Sequence, residues 1–283
     1  VTSSPAPSDP VRLWQEAGRR LQVHAKADES LHFGLDGRSV SGPATADDGV
    51  AAWLRVTTSP RPGGKLWEGP FLADALLDDE AIPRPLLLAE ATWGDGPTHQ
   101  ALLWQRTRCA SVSTTPDLDH APSLGPRWWD DLASALARLR ATPPPAGRQA
   151  VRQEYINRIG RFLPDVDGAG IDLTVQRWET AHGDLHWANL TAPRLQLLDW
   201  EGWGAAPAGW DAAVLHAYSL TQPEVARQVR DVFTDKLNTP DGRLAHLVIV
   251  AQIIQASERD EIHARLAPFV RDFAAGIVEA ASQ

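Results

Sequence analysis

The densest run of chemically capable side chains is His182-Gly183-Asp184-Leu185-His186-Trp187-Ala188-Asn189, followed by Leu195-Gln196-Leu197-Leu198-Asp199-Trp200-Glu201. A turn, Ala192-Pro193-Arg194, separates the two and leads into a short apolar run. Such a hairpin brings Asn189 and Asp199 side by side at one end. Two oxygen donors converging there suit Mg²⁺, which takes one or two protein oxygens and fills its shell with phosphates and water. Asp184, in a loop that begins with Gly183, stands at the edge of that metal, poised to accept a proton or orient a hydroxyl. A metal clamp on phosphates and a carboxylate near the attacking oxygen are the parts an in-line phosphoryl transfer needs.

Each residue also has a plainer reading. His182 reads as a buried hydrogen-bonding group that steadies the loop. His186 reads equally as a structural or a substrate-lining residue. Glu201 is either a solvated acid or an orienting group beside the metal. Trp187, Trp200, Trp203 and Trp210 read as packing, with Trp187, inside the loop, expected to touch a ligand. His182-x-Asp184-x-His186 admits a second chemistry, a Zn²⁺ metallohydrolase with alternating ligands on an extended segment. That reading leaves Asn189 and Asp199 idle and finds no further histidine pair, since His216, His246 and His263 are scattered through helical stretches. A serine hydrolase is excluded by the absence of a Gly-x-Ser-x-Gly elbow.

The elements that must hold these residues follow from periodicity and punctuation. Residues 1–8 read as a disordered arm. Asp9-Pro10 starts a helix that runs to about Ala25. Strand-like stretches follow at Ser30–Leu35, Arg38–Thr45 and Val50–Thr58, divided by Asp36-Gly37 and Asp47-Asp48-Gly49 turns. A helix is expected over Leu66–Leu77, then strands at Leu86–Thr92 and Gln100–Arg106 joined by Gly94-Asp95-Gly96-Pro97. Beyond Arg108 the pattern turns helical, at Arg127–Arg140 and Arg148–Leu163. After the polar segment and its one strand, Leu195–Leu198, helices are expected at Asp211–Leu220, Pro223–Asp235, Arg243–Ser257 and Leu266–Ala281. A sheet-rich lobe over 1–108 and a larger helical lobe over 109–283 fit this order.

In its order, the pattern His182-Gly183-Asp184-Leu185-His186, Asn189, then apolar-Asp199-Trp200-Glu201 resembles the catalytic and metal loops of the aminoglycoside phosphotransferase and choline kinase superfamily, relatives of the protein kinases. The resemblance implies an α+β, bilobal, protein-kinase-like fold with a small antiparallel N-lobe and a mainly helical C-lobe. It implies that Asp184 is the catalytic base and that Asn189 and Asp199 hold the metal, Asp199 standing where protein kinases carry the Asp of Asp-Phe-Gly. Asp211, just after Gly209, is similar to a carboxylate with which the family braces the loop.

The nucleotide side departs from that pattern. Kinase-like lobes carry a phosphate-binding lysine on the third strand, and the third strand here has Arg55 instead, which is not an equivalent replacement. Lys65, after Pro62-Gly63-Gly64, is the alternative cation; Lys26 and Lys236 are the other lysines. Glu68 is the candidate acidic partner, against Asp74. Adenine is expected against backbone near Gln105 and Thr107. Gly34-Leu35-Asp36-Gly37 and Gly42-Pro43 stand where a phosphate flap is expected, without a Gly-x-Gly-x-x-Gly, and Gly63-Gly64-Lys65 lacks the Ser/Thr of a Walker A loop.

Composition sets the outer bounds. The 283 residues carry 27 basic and 36 acidic side chains, a net charge of −9, and 43% are apolar. This is a folded globular chain, and its acidity argues against nucleic acid as a partner. One cysteine, Cys109, excludes a disulfide framework and a cysteine-rich zinc site. No apolar run reaches the ~20 residues of a membrane span, and Val1–Pro10 lacks a signal-peptide layout. The expectation is a cytoplasmic enzyme using ATP and Mg²⁺ to phosphorylate a hydroxyl of a small molecule, an aminoglycoside, amino sugar or sugar. Glu258, Asp260 and Glu261 are candidates to line its pocket. The alternative is a kinase-like binding protein that has lost turnover. Oligomeric state is not legible.

Overall fold

The computed structural model describes residues 9–25, 31–34, 38–46, 49–60, 63–94 and 97–281. The expected N-terminal arm, Lys26, the whole Asp36-Gly37 turn and parts of the Asp47-Asp48-Gly49 and Gly94–Pro97 turns lie outside them. The chain divides into two compact units, 1–75 with 85–108, and 76–84 with 109–283.

The first unit opens with helix α1 (Pro10–Leu21), where Asp9 caps by accepting from the Val11 N–H at 3.0 Å and Pro10 fills the first helical position. Strands β1 (Val23–His24), β2 (His32–Gly34), β3 (Ser39–Ala46), β4 (Ala51–Ser59), β5 (Leu87–Trp93) and β6 (Thr98–Gln105) form one antiparallel sheet in the order β1-β3-β4-β6-β5, with β2 also on β3. Alternation along β4 sends Ala52, Leu54 and Val56 into a core with Trp14 and Ala17 of α1, Val40 and Ala44 of β3, and Ala101 and Leu103 of β6. Arg55, one step out of phase, is on the other face, opposite Leu102. Helix α2 (Lys65–Leu76) reaches that face, because the Trp67 carbonyl accepts from Gln100 Nε2 at 3.2 Å.

The second unit is mainly helical. Its elements are β7 (Ala110–Ser111), α3 (Pro126–Ala141), α4 (Gln153–Ile156), α5 (Pro164–Gly168), β8 (Trp178–Ala181), β9 (Thr191–Ala192), β10 (Gly204–Pro207), α6 (Trp210–Ala217), α7 (Pro223–Val232), α8 (Thr234–Leu237), α9 (Pro240–Ala256) and α10 (Glu261–Ala281). Helix α9 is buried on nearly every side from Leu244 to Ile254, so it is the axis on which α6 and α10 pack. Segment 76–84, grouped with the first lobe on sequence, belongs here: Leu77 and Ile82 are buried and the Pro83 carbonyl accepts from Leu197 N–H at 2.8 Å.

Two expectations change. Arg148–Leu163 is not one helix. Its start is held extended by backbone pairing of Gln149 and Ala150 with Ala205, leaving only α4 and a 3-10 turn, Ile159–Arg161. Leu195–Leu198 is not an extended strand either, since only Leu197 pairs, with Leu190. The strands that do frame the polar segment, β8 and β10, pair antiparallel from Gly204↔Ala181 to Pro207↔Trp178. Among the described residues no helix is long and apolar enough to cross a membrane.

Candidate active site

The polar segment leaves β8 at Ala181 and turns at once. Gly183 takes φ +90°, where a Cβ would lie 2.8 Å from the Gly202 carbonyl oxygen, so only glycine fits the turn. The turn is fastened from below by Asp211, buried in the first turn of α6. Its two carboxylate oxygens accept from the His182 N–H at 2.8 Å and the Gly183 N–H at 3.0 Å. Burial pushes the Asp211 carboxyl above its ordinary range, against the pull of His182 and those two donors. Trp210 Nε1 donates to the Gly183 carbonyl at 3.0 Å, closing the same turn from α6.

Beyond the turn the Asp184 carboxylate stays 57% exposed. Desolvation raises its pKa, but the hydrogen bond and charge of His186, with His182 and His263, outweigh it and hold the group below the usual carboxylate range. Asp184 is therefore an ionised acceptor at neutral pH. Asn189 Nδ2 donates to the Asp184 backbone carbonyl at 2.9 Å, which leaves Oδ1 as the spare acceptor of that side chain. The Asn189 carbonyl in turn accepts from the Leu198 N–H at 2.9 Å. The reversal between them is closed by Thr191, whose Oγ1 donates to the Arg194 carbonyl at 2.7 Å and accepts from Gln196 N–H at 2.8 Å. Asn189 and Asp199 thus stand at the same end of one hairpin, and Asp199 leaves it in the left-handed region, φ +61°, exposed.

The neighbouring residues sort by their contacts. His182 is fully buried; Nε2 donates to the Leu198 carbonyl at 2.8 Å and Nδ1 faces the Asp184 N–H at 3.4 Å, so it ties the two loops together. With both ring nitrogens engaged, and no group of three or more His, Cys, Asp or Glu side chains among the described residues placed to hold a metal ion, His182/Asp184/His186 is not a zinc site. Trp187 does not face a ligand. It is completely buried, stacks with Trp128 at 6.3 Å and donates Nε1 to Ser219 Oγ at 3.0 Å. Indole burial of about 200 Å² is worth on the order of 5 kcal/mol, and that anchors the loop. Glu201 is half-buried, and its carbonyl accepts from Arg148 Nη2 at 2.6 Å. Arg148, whose guanidinium also lies over Trp203 at 5.7 Å, was not legible as a site residue because nothing in its neighbourhood marks it.

The nucleotide-side candidates lie in the first unit. Arg55 and α2 share one face of the sheet, and exposed Lys65 opens α2 two residues before Trp67. Glu68 is exposed and its Oε1 accepts from the Gly64 N–H at 3.1 Å, an N-terminal cap of α2. Asp74 accepts from Leu87 N–H at 3.3 Å. The N–H groups of Gln105 and Arg106 bond inside the sheet, to the Leu86 and Ala51 carbonyls, and Thr107 follows, half-buried. Gly42-Pro43 is not a flap but the middle of β3, opposite Leu54 and Trp53. Pro43 is tolerated there because β2 pairs with β3 only as far as Ser41 and β1 only from Thr45, so among the described residues no strand needs its missing N–H.

As a sequence the chain matches no family model and no curated protein. Its structure is similar to aminoglycoside phosphotransferase APH(4)-Ia, with a TM-score of 0.64 and 13% identity over 94% of this chain and 97% of that one. It is similar to amicoumacin kinase hAmiN in complex with AMP-PNP, Ca²⁺ and Ami, at 0.60 and 13% over 97% and 94%. Macrolide 2'-phosphotransferase MphH from Brachybacterium faecium matches at 0.57 and 15% over 96% of each chain. The protein has the aminoglycoside phosphotransferase-like kinase fold.

Proposed function

We propose that the protein is an ATP-dependent phosphotransferase that moves the γ-phosphoryl group to a hydroxyl of a small molecule. The observation that carries the reading is the closed set of bonds joining Asp184, Asn189 and the residue before Asp199. These bonds tie the backbone that carries Asp184 to the backbone that carries Asn189 and leads into Asp199, which supports the reading. The structural neighbours, small-molecule phosphotransferases, support a kinase-type enzyme, and complexes of APH(4)-Ia with ADP and of hAmiN with AMP-PNP support ATP as donor.

Asp184 accepts the proton of the acceptor hydroxyl as its oxygen attacks phosphorus, and the bond from the γ-phosphorus to the bridging oxygen breaks to release ADP. His182 and Asp211 hold the loop so that the carboxylate needs no reorganisation during transfer. Arg55 or Lys65 neutralises the donor phosphates. The Oδ1 of Asn189 and the carboxylate of Asp199 are hard oxygens without a soft ligand nearby, a set that fits Mg²⁺. Bound there, the ion would supply charge neutralisation on the phosphates. The acceptor is a hydroxyl compound, an aminoglycoside, amino sugar or sugar, and the net charge of −9 suits a cationic one. ADP release with Mg-ATP, scored across aminoglycosides, amino sugars, sugars and amino alcohols, tests this. At least one acceptor raises the rate above the water background; binding of Mg-ATP with no turnover on any acceptor would favour the binding-protein reading.

A further inference from the structure

The Asp184 carboxylate has one side-chain neighbour in the loop that sequence reading left undecided. His186 Nε2 lies 3.5 Å from Asp184 Oδ2 and 3.4 Å from Asn189 Nδ2, so a single ring nitrogen faces both the catalytic carboxylate and the metal-side amide. The other nitrogen, Nδ1, is buried without a hydrogen-bond partner among the described residues. Asn189 Nδ2 can only donate and the carboxylate can only accept, so Nε2 serves one or the other. Accepting from Asn189 puts the proton on Nδ1, a buried N–H with no partner among the described residues, whereas donating to Asp184 leaves only a lone pair there and buries no orphan donor. The separation is long, as catalytic contacts are before substrate tightens them.

The ring is also held from behind. Tyr218, at the end of α6, meets the His186 ring edge-to-face at 5.6 Å between centroids. Its hydroxyl is itself pinned to His263 Nε2 at 2.9 Å, and His263 is clamped through both Nδ1 and its backbone N–H by Asp260, at 2.5 and 2.9 Å. Tyr218 is buried, and its edge-to-face contact favours the ring orientation that keeps Nε2 beside Asp184. Asp260, read on sequence as an acceptor-pocket acid, is committed to this clamp.

From this geometry we infer that His186 is the positioning residue of Asp184: it donates Nε2–H to the carboxylate and aims the second oxygen at the acceptor hydroxyl, while Tyr218, His263 and Asp260 fix its plane. The inference rests on the phosphotransferase reading and deepens it. An interaction made on the base and not on the substrates acts on the chemical step, so its removal lowers kcat and spares KM.

The test compares wild type, His186→Phe, His186→Gln and Asp184→Asn by ADP release at varied Mg-ATP and at varied concentration of the best acceptor of the panel, or with water as acceptor where none is used. His186→Phe keeps a ring against Tyr218 and removes the donor; His186→Gln sets an amide N–H near the position of Nε2. The expected result is a kcat at least 10-fold lower in His186→Phe, with both KM values within about 3-fold of wild type, and most of the kcat recovered in His186→Gln. Thermal melting accompanies each variant. Wild-type kcat in His186→Phe overturns the inference, and so does a loss confined to KM. A loss that tracks melting temperature and is no better in His186→Gln marks a packing role and overturns it too. Wild-type turnover no faster than that of Asp184→Asn is a separate outcome that defeats the phosphotransferase reading, and this inference with it.

Discussion

At the scale of single residues, the candidate site is fastened by one buried carboxylate. Asp211 spends both oxygens on consecutive backbone N–H groups of the turn before Asp184. An asparagine there keeps one acceptor and turns an NH₂ toward a donor, leaving a buried N–H unpaired. Such a loss costs about 1–3 kcal/mol, or several degrees of melting temperature in a protein of this size. Asp211→Asn is therefore expected to melt lower and to turn over more slowly, because the turn that presents Asp184 is no longer fastened. Calorimetry alongside a turnover assay checks this; unchanged melting would show that the two hydrogen bonds are dispensable. The contrast with Trp187 is instructive. Asp184 and Asn189 are legible in the sequence because two polar residues five apart in a glycine-containing loop form a local pattern. An indole serves packing and binding equally well. Its burial beneath the loop against Trp128 depends on α3, which is remote in sequence.

At the scale of elements, the Gly183 turn holds its shape because the loop after Asp199 and Ala150 crowd against it. Gly183→Ala forces a Cβ to 2.8 Å from the Gly202 carbonyl and to 3.0 Å from Ala150 Cβ, at a φ unsuited to L side chains. A destabilisation of about 1–3 kcal/mol is expected, measurable as a shift in the urea midpoint at unchanged slope; a midpoint equal to wild type would refute the crowding. Elements long enough to show a period were legible: α1, β3, β4, α3 and α9 all lie close to where spacing put them. Those that fasten the site were not. Strands β8 and β10 have four residues each, too few for alternation to register. Residues 148–152 carry a helical pattern yet do not form a helix, because the backbone around Gln149 pairs with Ala205, a contact distant in sequence. The hairpin that joins Asn189 to the Asp199 side was legible because a turn and an apolar run are local signals.

At the scale of the whole molecule, the sequence order of sheet then helices was enough for the fold class, while the assignment of 76–84 to the helical unit was not, since its partner Leu197 lies far along the chain. One source of pH-dependent stability lies inside the helical unit. His216 and His246 are buried edge-to-face at 5.0 Å, each also against Phe273, with His216 Nδ1 and His246 Nε2 lacking partners among the described residues. Burial, then the charge of Arg230, lowers His216 to about 4, and burial with His216 and Arg230 holds His246 well below the ordinary value. A depressed folded pKa contributes stability that is present above the unfolded value near 6.5 and is lost as pH falls toward the folded one. For His216 that loss is on the order of 3 kcal/mol between pH 6.5 and 4. Urea unfolding at stepped pH should show this decline, and His216→Leu should flatten it; a flat wild-type profile from pH 7 to 5 would contradict the assignment.

The central claim is a division of labour in which Asn189 and Asp199 hold the metal-bound donor and Asp184 serves the transfer step. Mg-ATP affinity and ADP release, measured together on wild type, Asp184→Ala and Asp199→Ala, separate the two roles. Asp184→Ala should bind Mg-ATP as wild type does and turn over at least about 10²-fold more slowly, whereas Asp199→Ala should lose Mg-ATP binding itself. Turnover in Asp184→Ala at the wild-type rate, or Mg-ATP binding that survives intact in Asp199→Ala, would contradict the account.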